Sequence, residues 1–429
     1  MAGKVSNLYR RLYGHDTNQD AGNCVARPPG ARPSRNGRPT LTIGPRGVNR
    51  RGTPSWRSGA RLLGLALATL AGTGCFRPVR DVPVDLAFTW TTYQGSPTRD
   101  PFAAESVPDI EPEIEWDVNT GRGLNSPPVP LGPVIVAATT NRMVIALSSE
   151  SGDIYWEHRK HGPFMAPAVS DGSRLYLATS DVRGRVYALR LRDGREEWEE
   201  DHPGVSAPAL IADGRLYLAS EMGLISALRT RDGNQVWQTA LGAPTAAAPA
   251  LMEDRLVVAT IRDTIYALDR ENGEILEQRS VSSRISAAPA SDASALYLPL
   301  RSGHVMALEA DGLEERWRAH VEGPVLAAPV VRQDGTVFAL SESGGVWSIA
   351  SNGRPRKLAD LGSAAVGGLT LTANAVLVGL LDGRLVALSP DDGRELWTVK
   401  LGDSVVTPPV VQDGFIYVPL RRGRVVKLR

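Results

Sequence analysis

One pattern of about 40 residues recurs along most of this chain, and residues 206–237 show it in full. It opens with a small residue, a proline and a second small residue, and an Asp-Gly turn follows. An alternating apolar run, a second polar turn, a run ending in Ala-Leu, a third turn and a tryptophan complete it. Alternation with period two between tight turns predicts three short strands, and a fourth must lead from the tryptophan into the next repeat. Four antiparallel strands repeated at this period predict a β-propeller rather than a series of separate domains.

A tryptophan at one position of the pattern marks the successive repeats. These tryptophans are Trp116, Trp156, Trp198, Trp237, Trp317 and Trp397. Leu276 takes the place of the tryptophan in one repeat, and the position is degenerate near Lys357 in another. Because a large aromatic side chain at a fixed place in each blade usually packs against the next blade, we interpret these residues as structural anchors. The alternative, that they stack on a cofactor, has less support.

The two ends of the repeat region complete one another. Eight small-residue openings interleave with the tryptophan positions, and the last of them is followed by only three predicted strands. Residues 113–118 predict a lone fourth strand with no three before it. We therefore predict an all-β, eight-bladed β-propeller of four-stranded antiparallel blades over residues 113–429. The N-terminal strand closes the ring, which leaves no exposed edge between the first and the last blade.

A short apolar stretch precedes Cys75. Residues 61–75 combine a positive flank, an apolar run of roughly ten residues and small residues before the cysteine, which is typical of a secretory signal. The stretch resembles a bacterial lipoprotein signal, in which the cysteine becomes the lipidated first residue, although Gly72 stands at the usual leucine position. We predict a signal peptide over 48–74 and lipidation at Cys75. An ordinary cysteine at the end of a signal peptide is the alternative.

The segments that flank this signal do not have the composition of a packed domain. Residues 1–47 are rich in Arg, Pro and Gly without apolar periodicity, so we predict that translation starts at Val48, or else that they form a disordered extension. Residues 75–112 are Pro-rich and acidic, which predicts a tether. Within it, the more apolar residues from Trp90 to Arg99 are predicted to dock on the propeller.

Charge and cysteine content exclude several classes of function. Residues 1–74 carry 12 Lys and Arg against Asp16 and Asp20, a balance of +10 that leaves −9 for the remainder of a chain whose net charge is +1. An acidic body argues against a nucleic-acid partner. The two cysteines, Cys24 and Cys75, lie outside the repeats, so no disulfide, zinc or haem-attachment motif is expected there. His158 and His161 are the closest histidine pair, and we interpret them as solvated loop residues. We predict no catalytic residue, metal or cofactor.

The repeat resembles the blade of a known superfamily. Ala-Leu followed by Gly and then Trp at fixed spacing occurs at 188–198, 227–237 and 387–397, and this resembles the repeat of the pyrroloquinoline-quinone (PQQ)-type propellers. The resemblance covers residues 113–429. Trp90, Tyr93 and Gly95 with Arg99 also resemble a motif that precedes many such propellers. The resemblance implies the fold, but a fold does not determine chemistry.

Two groups within this superfamily imply different functions. The quinoprotein dehydrogenases use an adjacent Cys-Cys disulfide over the quinone and a calcium site, and their blades carry long insertions. This chain has no such cysteine pair and lean blades, so it resembles more closely the propeller lipoproteins of the outer-membrane β-barrel assembly (BAM) machinery. That resemblance implies a non-catalytic scaffold, lipid-anchored at the periplasmic face of the outer membrane, which docks the barrel-inserting subunit. A propeller that binds a small molecule or polysaccharide is the alternative, and a PQQ-dependent dehydrogenase has less support.

The loops of the predicted blades sort their charges between two faces. Loops between second and third strands share a face with the connections between blades, and there the sequence places Arg142, Arg183, Arg185, Arg262, Arg301, Arg421, Arg422 and Arg424. The opposite face collects Glu150, Asp153, Glu253, Asp254, Glu271, Glu274, Asp311, Glu314, Asp391 and Asp392. Because arginine is favoured at interfaces, Arg183, Arg185, Arg421, Arg422 and Arg424 are the predicted contacts for an acidic partner surface. Solvated turn charges are the alternative.

Overall fold

The computed structural model describes residue 82 and residues 102–103, 105–121, 123–245, 247–252, 254–292 and 294–429. These residues form eight antiparallel sheets that make an eight-bladed β-propeller, which confirms the predicted fold class. In these ranges, no helix is long and apolar enough to cross a membrane. The predicted extension, the predicted signal peptide, Cys75 and the predicted docking stretch from Trp90 to Arg99 lie outside the described residues.

The strands follow one another blade by blade. Two strands come before blade 1, namely β1 (Phe102–Ala103) and β2 (Ile114–Asn119). Blades 1 and 2 contain β3 (Val129–Leu131), β4 (Val134–Ala138), β5 (Met143–Ser148), β6 (Ile154–Arg159), β7 (Val169–Ser170), β8 (Arg174–Ala178), β9 (Arg185–Arg190) and β10 (Glu196–Asp201). Blades 3 and 4 contain β11 (Leu210–Ala212), β12 (Arg215–Ala219), β13 (Leu224–Arg229), β14 (Gln235–Ala240), β15 (Ala250–Met252), β16 (Arg255–Ala259), β17 (Thr264–Asp269) and β18 (Ile275–Ser280).

The second half of the ring repeats the same order. Blades 5 and 6 contain β19 (Ala290–Ser291), β20 (Ala295–Leu300), β21 (His304–Glu309), β22 (Glu315–His320), β23 (Val330–Val331), β24 (Val337–Leu340), β25 (Gly345–Ile349) and β26 (Pro355–Asp360). Blade 7 contains β27 (Leu369–Thr372), β28 (Val376–Gly379), β29 (Arg384–Leu388) and β30 (Glu395–Lys400). Blade 8 contains β31 (Val410–Gln412), β32 (Phe415–Leu420) and β33 (Arg424–Leu428), with β2 as its outer strand.

The turns of each blade divide between two faces of the propeller. First strands of neighbouring blades contact one another around the axis, and fourth strands lie at the outer rim. Loops between second and third strands and the connections between blades lie on one face, which we call the crossing face. The turns that join first to second and third to fourth strands lie on the other, which we call the hairpin face. At one such turn Asp213 and Gly214 have φ of 48° and 70°, as a type I′ hairpin requires.

The ring closes between the two ends of the described chain. Strand β2 pairs antiparallel with β33, with Ile114 opposite Leu428 and Asn119 opposite Arg424, which confirms the predicted closure. Ion pairs reinforce this seam. Lys427 Nζ lies 2.7 Å from Glu115 Oε2 and 3.6 Å from the centroid of the Phe415 ring, with only 4% of the lysine exposed. A buried lysine needs such a partner, so the seam is specified by charge as well as by backbone pairing.

Most of the apolar core lies between blades rather than within them. Each of the eight buried clusters in the described ranges takes residues from two neighbouring blades. The six anchor tryptophans lie at these joints, and each donates its indole N–H to a backbone oxygen outside its own blade. The donors and acceptors are Trp116 to Ser149, Trp156 to Leu191, Trp198 to Thr230, Trp237 to Arg270, Trp317 to Ser351 and Trp397 to Pro108, over 2.8–3.2 Å.

A glycine of the next blade lies directly against most of these indoles. A Cβ atom added to Gly194 would lie 2.6 Å from the Trp156 ring, and one added to Gly273 would lie 2.4 Å from the Trp237 ring. Both glycines also have positive φ, at 67° and 76°. Gly152, Gly233 and Gly353 make the same contact. These five glycines are therefore required twice, by backbone conformation and by their contact with a tryptophan.

The joint between blades 4 and 5 departs from this arrangement, and the prediction that Leu276 replaces the tryptophan was wrong. Glu277 lies opposite Ala267 as Trp237 lies opposite Ala227, and Leu276, which is 51% exposed, occupies the β-bulge that Val236 occupies in blade 3. On the facing blade, Leu313 replaces the glycine with φ of 47° and is 1% exposed. A leucine thus supplies apolar volume where the indole is missing. At the equivalent place in blade 6 the residue is Lys357, which lies opposite Trp347, so the tryptophan position is degenerate there as predicted.

The N-terminal segment completes the joint between blades 7 and 8. Strand β1 pairs in parallel with β27, on the axial side of that first strand. Further along, Val107 is 3% exposed in the cluster around Trp397, and Pro108 supplies the carbonyl that accepts the Trp397 N–H. Blade 8 has no turn between third and fourth strands, because those strands come from opposite ends of the chain. Residues 107 and 108 supply the contacts that this turn makes elsewhere, on the hairpin face.

Candidate docking surface

The structure places the five predicted contact arginines on the crossing face and divides them into two kinds. Arg185 pairs with Glu199 and lies 3.4 Å from Asp201, and Arg424 pairs with Asp117. Those carboxylates belong to the fourth strand of the arginine's own blade, so these two guanidinium groups are already satisfied within a sheet.

The other three arginines are available to a partner. Arg183 and Arg421 have no ion pair in the described ranges, and Arg422, with 85% of its side chain exposed, lies 4.0 Å from Asp403. Four further arginines of the crossing face are exposed and have no ion pair with a described residue, namely Arg142, Arg262, Arg284 and Arg301. Arg284, on the connection between blades 4 and 5, was not predicted, because the charges were read mainly from the loops within blades.

Exposed carboxylates on the same face are mostly neutralised. Asp382 lies 2.8 Å from Arg384, and Glu322 lies 2.9 Å from Lys357. In the described crossing-face loops, the exposed Asp263 and the half-buried Asp181, Glu221 and Glu342 have no ion pair, and they are outnumbered by the seven arginines named above. The charge that the crossing face offers to solvent is therefore mainly positive, although the described body of the protein is acidic overall.

Two apolar side chains project from neighbouring loops of this face. Val182, between the second and third strands of blade 2, is 85% exposed, and Met222, in the same loop of blade 3, is 64% exposed. A single exposed apolar residue is common on protein surfaces. Two on adjacent loops, next to the unpaired Arg183, combine apolar and cationic character in one place, which is a composition favoured at interfaces.

The loop that carries Val182 and Arg183 is long and held by close backbone packing. It spans residues 179–184, whereas the same loop in blade 3 spans 220–223. A Cβ atom on Gly204 would lie 2.6 Å from the backbone oxygen of Asp181, and one on Gly162 would lie 2.4 Å from the Asp181 carboxylate. The Ser180 N–H also donates to Pro163 O over 3.1 Å. The loop is therefore fixed before any partner binds, which lowers the entropic cost of docking.

Arg142 occupies a backbone position that suits glycine. Its φ is 69°, and it directly precedes the third strand of blade 1. Gly223, Gly303, Gly344, Gly383 and Gly423 occupy the same place in their blades, all with positive φ. A residue with a Cβ atom is disfavoured there by roughly 1 kcal/mol. Strain of this kind is retained where the side chain has a use, which makes Arg142 a further candidate contact.

Several arginines of the hairpin face join neighbouring blades, although the exposed Arg354 and Arg394 have no ion pair with a described residue. Arg215 of blade 3 reaches Glu271 of blade 4 over 2.5 Å, and Arg332 of blade 6 reaches Asp391 of blade 7 over 2.9 Å. The same Arg332 guanidinium lowers the pKa of the Asp334 carboxyl to about 2. The acidic residues predicted for this face therefore serve in part to join neighbouring blades.

The described residues do not fit the quinone cofactor of the related dehydrogenases. They include no cysteine, and no three His, Cys, Asp or Glu side chains among them converge as a calcium site would require. A cavity between blades 4 and 5, lined by Ala247, Ile261 and Ser286, has a volume of about 30 Å³. That volume holds about one water molecule.

Comparisons with known proteins place the chain in a family. Solved structures with the same fold include BamB from Moraxella catarrhalis, at 20% identity and a TM-score of 0.64, covering 74% of this chain and 100% of that one. A quinohemoprotein alcohol dehydrogenase from Comamonas testosteroni aligns at 13% identity and a TM-score of 0.66, over 80% of each chain. A computationally designed protein, Ika8, aligns at 15% identity and a TM-score of 0.64, over 72% of this chain and 96% of its own. At these identities the likeness shows the fold alone.

Sequence comparison is more specific. No curated protein sequence matches the chain. One family pattern, described as outer membrane protein assembly factor BamB, matches residues 106–207, 182–278, 261–356 and 334–428. Together these matches span the whole propeller, well over half of the chain. The chain belongs to the family described as outer membrane protein assembly factor BamB.

Proposed function

We propose that this protein is a non-catalytic docking scaffold of the bacterial envelope, and that it binds the barrel-inserting subunit of the outer-membrane assembly machinery through its crossing face. Family membership supports the class of function. One observation supports the choice of face: the crossing face carries unpaired arginines and exposed apolar loop tips, while every described part of the N-terminal segment lies elsewhere.

The location of the N-terminal segment is consistent with this assignment. Residue Val82 is 3% exposed and donates its N–H over 3.0 Å to Arg192 O, in a third-to-fourth turn of the hairpin face. Val107 and Pro108 pack at the same face between blades 7 and 8. A partner on the hairpin face would compete with these contacts, whereas the crossing-face loops are accessible as they stand.

The crossing face suggests what kind of surface it meets. Arg142, Arg183, Arg421 and Arg422 lie on the consecutive blades 8, 1 and 2, and Val182 and Met222 extend this sector to blade 3. Arginine pairs with carboxylates in a planar, bidentate geometry and is enriched at interfaces, as methionine is. An acidic partner surface with an apolar centre fits this sector. Positive charge across it would also speed association at low salt.

Anchoring at the membrane is part of the same proposal. Lipidation at Cys75 would hold the propeller at the periplasmic face of the outer membrane. Mass spectrometry of the mature protein should find a lipopeptide that begins at Cys75, and Cys75→Ser should release the protein from membranes. A mature N-terminus upstream of Val48 would contradict both the start site and the signal assignment.

Site-specific photo-crosslinking in cells tests the docking proposal. A photoreactive amino acid placed at Val182 on the crossing face should form a covalent adduct with the barrel-inserting subunit. The same amino acid at Arg354, an exposed residue in a third-to-fourth turn of the hairpin face, is the matched control and should form none. Adducts from 354 but not from 182 would move the interface to the other face. Recovery of neither adduct would contradict docking to that subunit.

A further inference from the structure

Two histidines lie side by side at the outer rim of blade 5. His304 is the first residue of β21 and His320 is the last residue of β22, and the antiparallel register places them directly opposite each other. Their ring centroids are 4.8 Å apart, with the ring planes at 54°. They are 16 positions apart in the sequence, so no local motif marks them, and neither contributes to the proposed docking sector on blades 8 to 3.

The distance between the rings suits a shared metal ion. An ion at about 2.1 Å from an imidazole nitrogen, along its lone pair, lies about 3.2 Å from the ring centroid. With centroids 4.8 Å apart, one ion bound by both rings makes an angle of roughly 97° between them. This value lies between the roughly 90° of square-planar coordination and the roughly 109° of tetrahedral coordination. The strands therefore hold the two imidazole rings at a separation that one ion can bridge.

The surroundings of the pair leave ligand atoms and open positions available. Ser302 Oγ lies 3.2 Å from Nδ1 of His304, and this contact occupies one ring nitrogen and leaves Nε2 free. A hydrogen bond to the other nitrogen is the usual outer-shell support of a metal-bound histidine. His304 is half-buried and His320 is exposed, so water can complete the coordination shell.

We propose that His304 and His320 form a bidentate surface site for a divalent transition-metal ion, with Cu²⁺ bound more tightly than Ni²⁺ or Zn²⁺. Imidazole is a good ligand for all three ions, and their affinities for one site generally peak at Cu²⁺. A bound ion joins the third strand of blade 5 to its outer strand near the crossing face. Because the ion binds only the folded arrangement, it also stabilises the fold by mass action.

The test uses full-length protein without an affinity tag, stripped of metal, and Cu²⁺ as the probe. Calorimetry together with electron paramagnetic resonance should detect an ion with two nitrogen ligands in the wild type. His304→Ala and His320→Ala should each weaken this binding by on the order of tenfold or more, and the double variant should lose no more than either single one. His161→Ala, which removes an exposed histidine between blades 1 and 2, is the matched control and should change nothing.

A second measurement separates loss of the site from loss of the fold. Circular dichroism and the melting temperature without metal should be the same in the variants and the wild type, because both side chains lie at the surface. With Cu²⁺, the melting temperature should rise in the wild type by more than in the double variant. Equal Cu²⁺ affinity and an equal thermal shift in the two proteins would overturn the proposal.

Discussion

The two faces of the propeller differ in how many of their arginines are paired: most hairpin-face arginines have an ion pair within the protein, and most crossing-face arginines have none in the described ranges. On the hairpin face, Arg215 and Arg332 reach carboxylates of the next blade, and the turns around them receive the indole N–H groups of the tryptophans. On the crossing face, Arg142, Arg183 and Arg421 have no ion pair in the described ranges. The turns of one repeat therefore have two roles. Those on the hairpin face hold the ring together, and those on the crossing face are available for binding. Changes on the first should cost stability, and changes on the second should cost affinity.

The largest expected change in the free energy of unfolding comes from a substitution on the hairpin face. Trp156 is 1% exposed, packs on Gly194 and donates to Leu191 O over 3.0 Å. Trp156→Ala should lower the free energy of unfolding by about 3–5 kcal/mol, because it leaves a cavity between blades 1 and 2. Urea denaturation measures this loss. Val182→Ala on the crossing face is the control and should change stability by less than about 0.5 kcal/mol; comparable losses in both would break the distinction between the faces.

Changes in the unusual joint between blades 4 and 5 should also lower stability. Leu313→Ala should cost about 2–4 kcal/mol, since the leucine is fully buried where other joints hold an indole. Leu313→Gly alone should also destabilise. The double variant Glu277→Trp with Leu313→Gly restores the tryptophan–glycine contact found at five other joints. In a double-mutant cycle it should recover part of the stability lost in Leu313→Gly alone. Strictly additive effects would show that tryptophan and glycine are not coupled.

Much of this architecture follows from the sequence, because each blade repeats the same turns and the same apolar alternation. The number of blades, their four strands and the closure by an N-terminal strand were predicted correctly, with the strand predicted at 113–118 and found at 114–119. The Trp-equivalent position in blade 4 was misassigned to Leu276 because that residue is apolar. The spacing from Gly233 to Trp237, applied to Gly273, gives Glu277, and both blades have the same β-bulge.

Less of the docking surface could be predicted from the sequence. Whether an arginine is free depends on which carboxylate the neighbouring strand presents, as the contrast between Arg183 and Arg185 shows. The contacts of Val107 and Pro108 were not predicted either, because a Pro-rich acidic segment has the composition of a linker. The histidines at 304 and 320 meet only through strand pairing.

One buried residue of the crossing face should make stability depend on pH. His202 is 6% exposed, its Nε2 lies 3.0 Å from Ser226 Oγ, and burial lowers its pKa below 6.5. The unfolded state then binds more protons than the folded state, so stability is present above pH 6.5 and falls as the pH decreases below it. Urea midpoints between pH 7.5 and 5.5 should decline more in the wild type than in His202→Gln. Parallel declines would show that other groups control this range.

A substitution at Arg142 is expected to raise stability by a small amount, where the changes above lower it. Arg142→Gly relieves a left-handed backbone position that five other blades fill with glycine, so it should stabilise the protein by roughly 1 kcal/mol or less. The same change removes a crossing-face cation and should weaken docking. A variant that is both more stable and weaker in binding would show that the strain is retained for function. Unchanged binding would remove Arg142 from the docking surface.

The affinity of the propeller for the periplasmic domains of the barrel-inserting subunit distinguishes docking through the crossing face from docking through the hairpin face. Calorimetry should compare the wild type with the double variant Val182→Asp and Arg183→Glu on the crossing face, and with Arg354→Glu on the hairpin face. Removing one apolar and one cationic contact should weaken binding by on the order of tenfold or more, while unfolding free energies stay the same. The account predicts this loss for the crossing-face variant alone. Equal affinity in the wild type and the crossing-face variant, or loss only with Arg354→Glu, would contradict it.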